Sequence, residues 1–409
     1  MTSHRSIPFL VFLFQVIEPF GSALASDWLG WRGANRDGVS RESEWLTDWP
    51  KSGPEILWRA RVGMGFSSFA VEGGRLFTMG HKDGLDTVHC LDTETGEGVW
   101  NFDYEAPIYE RGAEGGPTAT PTLHGDKVYT LSRTGLLLCL DRKSGEKIWE
   151  RDLVNDFEVE IPHYGFACSP LAYHGRLIID AGKIIAFDLE SGNTIWETEA
   201  FKAGYSSPVP FEIEGQSYVA NFNADSLKIL KSESGDVVSS ASWETSSEIN
   251  VATPIIQDGK IFISSGFGMG CALYDASDPT NLVRLWRNHN MHTHFSNCVL
   301  WDGFIYGFDG HVTRDEGFLT CLDFETGETR WKDDQVRKGS LIIAGGHILA
   351  LLETGELIVA KATPEGFQEE SRSHILGGRC WTPPVLSDGK IYSRNVKGDL
   401  ICLDVRQSE

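Results

Sequence analysis

From about residue 57 to the end, the chain is written in short runs where apolar and polar residues alternate, and most of these runs stop at the same kind of turn. Val88 and Cys90, Leu137 and Cys139, and Leu319 and Cys321 lie two apart. That period marks strands with one face buried. Each run leads into an Asp, then Thr-Gly or Ser-Gly, then Trp. The clear copies span Cys90 to Trp100, Cys139 to Trp149, Ala186 to Trp196 and Cys321 to Trp331, all reading small, x, Asp, x, x, Thr/Ser, Gly, x, x, x, Trp. The Asp can hydrogen-bond its own turn and the Gly supplies a positive φ, so the motif predicts a hairpin. The Trp on the returning strand is large enough to cover a neighbouring unit, and the small first residue leaves room for a ring.

With the Asp as a ruler, the marks are Asp92, Asp141, Asp188, Lys231, Asp275, Asp323, Lys361 and Asp404, spaced 38 to 49 residues apart. Lys231 and Lys361 are degenerate copies placed by spacing and flanking strand pattern. Eight units of this period, each with four short strands, predict an all-β fold: an eight-bladed β-propeller of four-stranded antiparallel blades. Strands a to d are counted from the axis outward. The segment Leu57 to Val62 reads as a fourth strand without its first three, whereas the chain from Pro384 to Asp404 gives three strands and stops before its Trp. The ring is therefore expected to close by exchange of the N-terminal strand, with Trp58 completing the last blade and no sheet edge left open.

The repeat resembles the tryptophan-docking motif of quinoprotein (pyrroloquinoline quinone, PQQ) dehydrogenase propellers and of the related eight-bladed outer-membrane assembly lipoproteins. The run Trp28 to Gly38, with Gly339-Ser-Leu and Trp381-Thr-Pro-Pro, resembles exported PQQ-like repeat proteins of bacteria. In the dehydrogenases, the resemblance implies a quinone in the axial funnel, between a tryptophan and a disulfide of two adjacent cysteines, with a calcium ion held by carboxylate and amide ligands. This chain has no adjacent cysteine pair and no Cys-x-x-Cys-His for an attached haem. No cofactor is therefore predicted; PQQ with calcium stands as the alternative, with Trp381 or Trp301 as a ring platform.

Residues 1–25 carry His4 and Arg5, an apolar run from Ile7 to Ile17 and Ala23-Leu24-Ala25, which predicts a signal peptide; the apolar run is too short for a membrane span. No cysteine follows to take a lipid, unlike the assembly lipoproteins. Residues 26–56 hold Trp28, Trp31, Trp45 and Trp49 among Gly, Asp and Arg and are expected to form an arm lying across the propeller, which itself spans 57–409. The net charge of −22 suits a soluble exported protein, periplasmic or extracellular, and argues against nucleic acid or anionic lipid as partner.

The blade-to-blade links and some b–c loops are long: 101–118, 151–167, 240–252, 287–295, 307–318 and 369–383. In a propeller these share one face, and binding residues concentrate on loops held by a rigid scaffold. The candidate residues there are His163, Tyr164, Tyr205, His292, His294, Arg379 and Trp381, with Tyr109, Glu110, Arg111 and Arg394 also chemically able. His292 and His294, at i and i+2, have a spacing that a metal could use, but no metal motif accompanies them and no metal is predicted. The eight cysteines read as structural thiols, because Cys90, Cys139, Cys321 and Cys402 hold the same buried position in different blades. The expected function is a monomeric, non-catalytic exported scaffold that binds a protein partner or extracellular ligand through the long-loop face. The alternatives are a PQQ-dependent alcohol or sugar dehydrogenase with an atypical site, and an assembly factor for envelope proteins.

Overall fold

A computed structural model describes residues 27–108, 114–310 and 317–407. The predicted leader and Tyr109, Glu110 and Arg111 lie outside the described residues. Eight antiparallel sheets make the ring: residues 70–105, 122–152, 171–197, 209–242, 255–288, 299–337 and 339–374 form blades 1 to 7, and 385–404 with Glu55–Arg61 form blade 8. The N-terminal strand pairs antiparallel with Asp399–Asp404, placing Trp58 opposite Cys402 and closing the ring as expected. Each of the eight ruler residues, the degenerate Lys231 and Lys361 included, is the last residue of its blade's third strand. Among the described residues no helix is long and apolar enough to cross a membrane.

The motif works as its chemistry suggests. Asp141 Oδ1 accepts hydrogen bonds from the backbone N–H and hydroxyl of Ser144 (2.7 and 2.9 Å) and from Lys143 N (3.0 Å), which hold its carboxyl below the usual range. Cys90, Cys139, Ala186, Cys321 and Cys402 each sit opposite a Trp across the strand pair. The Trp then docks on the turn of the next blade. The Trp149 indole donates to Leu189 O at 3.1 Å and covers Gly192, just as Trp100 donates to Arg142 O and covers Gly145, and Trp58 donates to Thr93 O and covers Gly96. All eight cysteines are buried and unpaired, and burial pushes the Cys139 thiol up to about 12.

A second interblade tie has no apolar signature. A lysine opening strand b pairs with the glutamate two residues past the ruler Asp of the following blade: Lys127 with Glu190 (2.8 Å), Lys260 with Glu325 (2.5 Å) and Lys390 with Glu94 (2.8 Å).

Blades 4 and 7 have serine, Ser239 and Ser371, at the docking position. At the seam between blades 7 and 8 the N-terminal segment supplies the missing rings: Trp45 and Trp49 are buried against Leu349, Val359, Leu386 and Leu403, and Trp49 N donates to Ser371 Oγ at 3.0 Å.

The segment before Trp45 crosses the ring at its innermost strands, along the axial channel. Trp28 pairs with Val71 of blade 1, Leu29 O accepts from Leu123 N of blade 2 (2.8 Å), and Val39–Ser40 runs parallel to Ile343–Ala344 of blade 7. Arg36 reaches Ser169 O and Pro170 O of blade 3 (2.9 and 2.8 Å), and Arg32 reaches Cys298 O of blade 6 (2.7 Å). Both guanidiniums are buried, which lowers each to about 10. A buried charge is stable only when its donors find acceptors, and backbone carbonyls around the channel supply them.

Candidate functional site: an aromatic funnel on the long-loop face

Strand a of each blade begins at the channel wall, and the residue four positions before its start lines the central cavity. Phe66, Thr118, Ala167, Tyr205, Val251, Phe295 and Trp381 occupy that place in seven blades and surround a cavity of about 300 Å³. The loops after strand b add Arg133 from blade 2 and Phe267 from blade 5, and Trp31 of the N-terminal segment enters from below. Its indole N–H donates to Thr253 Oγ1 at 2.9 Å, which fixes the ring.

The rings pack on one another. Trp381 stacks on Phe66 and Phe295, with centroids 5.7 and 5.1 Å apart, and the Arg379 guanidinium lies over it at 4.6 Å. Its N–H donates to Glu353 Oε1 at 3.2 Å. Tyr164 meets Tyr205 edge-on at 5.8 Å, and the Tyr205 hydroxyl accepts from Tyr164 N at 3.3 Å. Arg133 donates to the carbonyls of Gly116 and Tyr164, holding the link 151–167 against the wall.

The structure thus gathers Tyr164, Tyr205, His294 and Trp381 into one cavity, with Arg379 at its edge in ion pairs with Glu114 (2.7 Å) and Glu353 (3.7 Å). His163 is exposed and packs edge-on against Tyr164. His292 does not join them. It turns to Asp309 at 3.0 Å, which also binds Lys332 at 2.7 Å, and stacks beside His289. Burial pushes the Asp309 carboxyl up, yet the bonds from His292 and Lys332 outweigh it and hold that group low. His292 and His294 lie in an irregular link rather than a strand, so their side chains do not share a face. Among the described residues no cluster of His, Cys, Asp and Glu could hold a metal ion.

Arg394 is not on the face. It is fully buried at the end of strand b in blade 8 and donates to Met79 O (2.7 Å), Gly63 O (2.9 Å), Ser67 O (3.1 Å) and Thr78 Oγ1 (3.2 Å) of blade 1 and the stretch leading into it, so it fastens the ends of the ring. Sequence reasoning missed Trp31, Phe66, Phe267, Phe295 and Arg133. The place before strand a was a usable signal for Phe66 and Phe295; Trp31 had none, since nothing periodic ties the N-terminal segment to the axis.

Residues 50–120 and 108–333 match the family model described as outer membrane protein assembly factor BamB. The quinohemoprotein alcohol dehydrogenase of Comamonas testosteroni is 27% identical over 151 residues, 32% of this chain and 20% of that protein, so the chain spans about a fifth of that relative. The outer membrane protein assembly factor BamB of Yersinia pestis is 22% identical over 296 residues, 68% of this chain and 72% of that protein. The solved structure of BamB from Moraxella catarrhalis superposes with a TM-score of 0.66 at 16% identity, covering 86% of this chain and 100% of that one, a likeness of fold. By the extent of the family match, which runs through most of the propeller, the chain belongs to the family described as outer membrane protein assembly factor BamB.

Proposed function

We propose that this chain is an exported, non-catalytic binding propeller, an assembly factor for envelope proteins whose long-loop face receives a protein partner. The observation that carries the reading is the funnel itself: a cup of aromatic side chains at the centre of the long-loop face, closed below by the chain's own N-terminal segment. A concave site with an aromatic lining and a few polar groups is the usual anatomy of a binding pocket. The leader read at residues 1–25 supports export, and the names of the BamB relatives support an envelope role.

The residues of the funnel do not fit the quinone that the fold suggests. PQQ carries three carboxylates and its calcium ion takes oxygen ligands, carboxylates among them. The described lining contains no carboxylate, and its arginine, Arg133, is already turned to backbone carbonyls. Trp381, the candidate platform, is engaged by two phenyl rings and a guanidinium.

Placing a photo-crosslinking amino acid at His163 on the long-loop face, and at Gln257 on an exposed a–b turn of the opposite face, tests the reading in the exporting cell. Discrete crosslinked partners from position 163 and not from 257 are expected; equal patterns from both positions would overturn it.

A further inference from the structure

We infer that the funnel takes an uncharged aromatic side chain of a partner polypeptide, seated on Trp31 of the N-terminal segment. This rests on the binding reading of the long-loop face.

Four observations lead to that ligand. The walls are rings, with Phe66, Tyr164, Tyr205, Phe267 and Phe295 around the cavity and Trp31 at its base. Rings gain by offset and edge-on contact with another ring beyond the burial of their surface. Charge is the second. The described lining offers no carboxylate to a cation; of its two basic side chains, Arg133 donates to the carbonyls of Gly116 and Tyr164, and the His294 ring packs against Phe267 and Phe295. A charged ligand would lose its hydration without a paired counter-charge, which is costly.

The third is the rim. Around the apolar centre lie the Arg379 pairs with Glu114 and Glu353, the Lys202–Glu248 pair in the adjoining links, and exposed His163. An apolar centre inside a polar rim is the anatomy of a protein interface, and its anchors are aromatic residues buried in central pockets. The cavity, about 300 Å³, is at the lower end of small-molecule sites and suits one or two rings.

The fourth is the floor. Trp31 borders both the funnel and a smaller void of about 20 Å³ beneath it, lined by Trp28, Gly38, Ser340 and Ile342. The Thr253 hydrogen bond orients the ring, and Arg32 and Arg36 hold the backbone beyond it. The N-terminal segment therefore sets the depth of the site as well as locking the ring.

The test uses the folded chain without its leader and uncharged probes, N-acetyl-tryptophanamide and N-acetyl-tyrosinamide, with N-acetyl-leucinamide and indole-3-acetate as controls, read by ligand-observed NMR. Saturable binding of the aromatic amides is expected, with both controls at least ~10-fold weaker. Trp31→Phe, which keeps a ring in the floor, should weaken the tryptophan probe ~3-fold or more, and Tyr205→Ala by ~10-fold, with unchanged circular dichroism. The same two variants should diminish crosslinking from position 163. Indole-3-acetate binding as tightly as the amide would overturn the inference in favour of a free anionic aromatic ligand, and no saturable binding would overturn it outright. If crosslinks from position 163 persist undiminished in both variants, the aromatic anchor falls while the binding face stands. If the amides bind but position 163 yields no crosslink, the partner falls as the source of the ring.

Discussion

Alanine at Gly192 should weaken the propeller by far more than alanine at Gly175, although both glycines sit in blade 3 with positive φ (66° and 77°). An L-residue in that region costs roughly 1–2 kcal/mol. At Gly175 nothing lies within 4 Å of the added Cβ, so that backbone cost is the whole effect. At Gly192 the Cβ would fall 2.5 Å from Trp149 Cδ2 and 2.8 Å from Cε3. The indole cannot easily give way, because its N–H is bound to Leu189 O at 3.1 Å and Tyr129 and Phe187 flank it at 5.9 and 6.5 Å. Overpacking of this kind adds about 1–3 kcal/mol, giving roughly 2–5 kcal/mol for Gly192→Ala. Guanidinium unfolding followed by far-UV circular dichroism reads both variants without interference from the tryptophan. In a Trp149→Ala background, itself lowered by about 3–5 kcal/mol, Gly192→Ala should fall back to the cost seen at Gly175. Equal effects at the two glycines to within about 0.5 kcal/mol, or no coupling to Trp149, would refute the docking account.

Three further outcomes are expected. Trp49→Ala should cost about 3–5 kcal/mol by opening the seam between blades 7 and 8, and hydrogen exchange should rise first in residues 369–374 and 399–404. Arg394→Leu relieves a buried charge, whose pKa burial has lowered to about 9, but leaves three carbonyls of the facing stretch without their donor; unfolding should show a net loss of roughly 2–5 kcal/mol. Burial raises the Asp180 carboxyl to about 6 against hydrogen bonds from Asn221 and Gly182, so between pH 4 and 6 the folded state binds more protons than the unfolded one and stability falls as pH rises. The stability of Asp180→Asn relative to the parent should then climb on the order of 3 kcal/mol from pH 4 to pH 7, and a flat difference across that range would contradict the assignment.

The ring was legible because its signals are local and repeated. A strand, an Asp turn, a glycine and a docking Trp recur at a fixed spacing, and even where the motif has decayed, at Lys231 and Lys361, the alternation still placed the strand end. Closure by residues 55–61 was legible as a strand without partners at one end and three strands without a fourth at the other. The path of the N-terminal segment was not. Its contacts, Arg32 to Cys298 and Arg36 to Ser169, join residues far apart in sequence through backbone carbonyls, which leave no trace in side-chain pattern. The site was partly legible for the same reason: the place before strand a gave Tyr205 and Trp381, whereas Phe267 and Arg133, which sit in loops after strand b, depend on loop geometry. His292 and Arg394 show the limit of residue type as a guide. Both are chemically able, and both are spent on structure, in the Asp309–Lys332 network and in the fastening of blade 8 to blade 1.

The role proposed for the funnel is that of an uncharged aromatic cup for a partner rather than a quinone site. Titrating the folded chain with PQQ and calcium, while following quinone absorbance and melting temperature together, tests this most directly. A ligand that binds only the folded state must stabilise it, by about 2.7 kcal/mol at a hundredfold excess over Kd. No saturable absorbance change and no rise in melting temperature are expected. A saturable rise with both ligands, abolished by Trp381→Ala, would contradict that role and return the funnel to quinone chemistry.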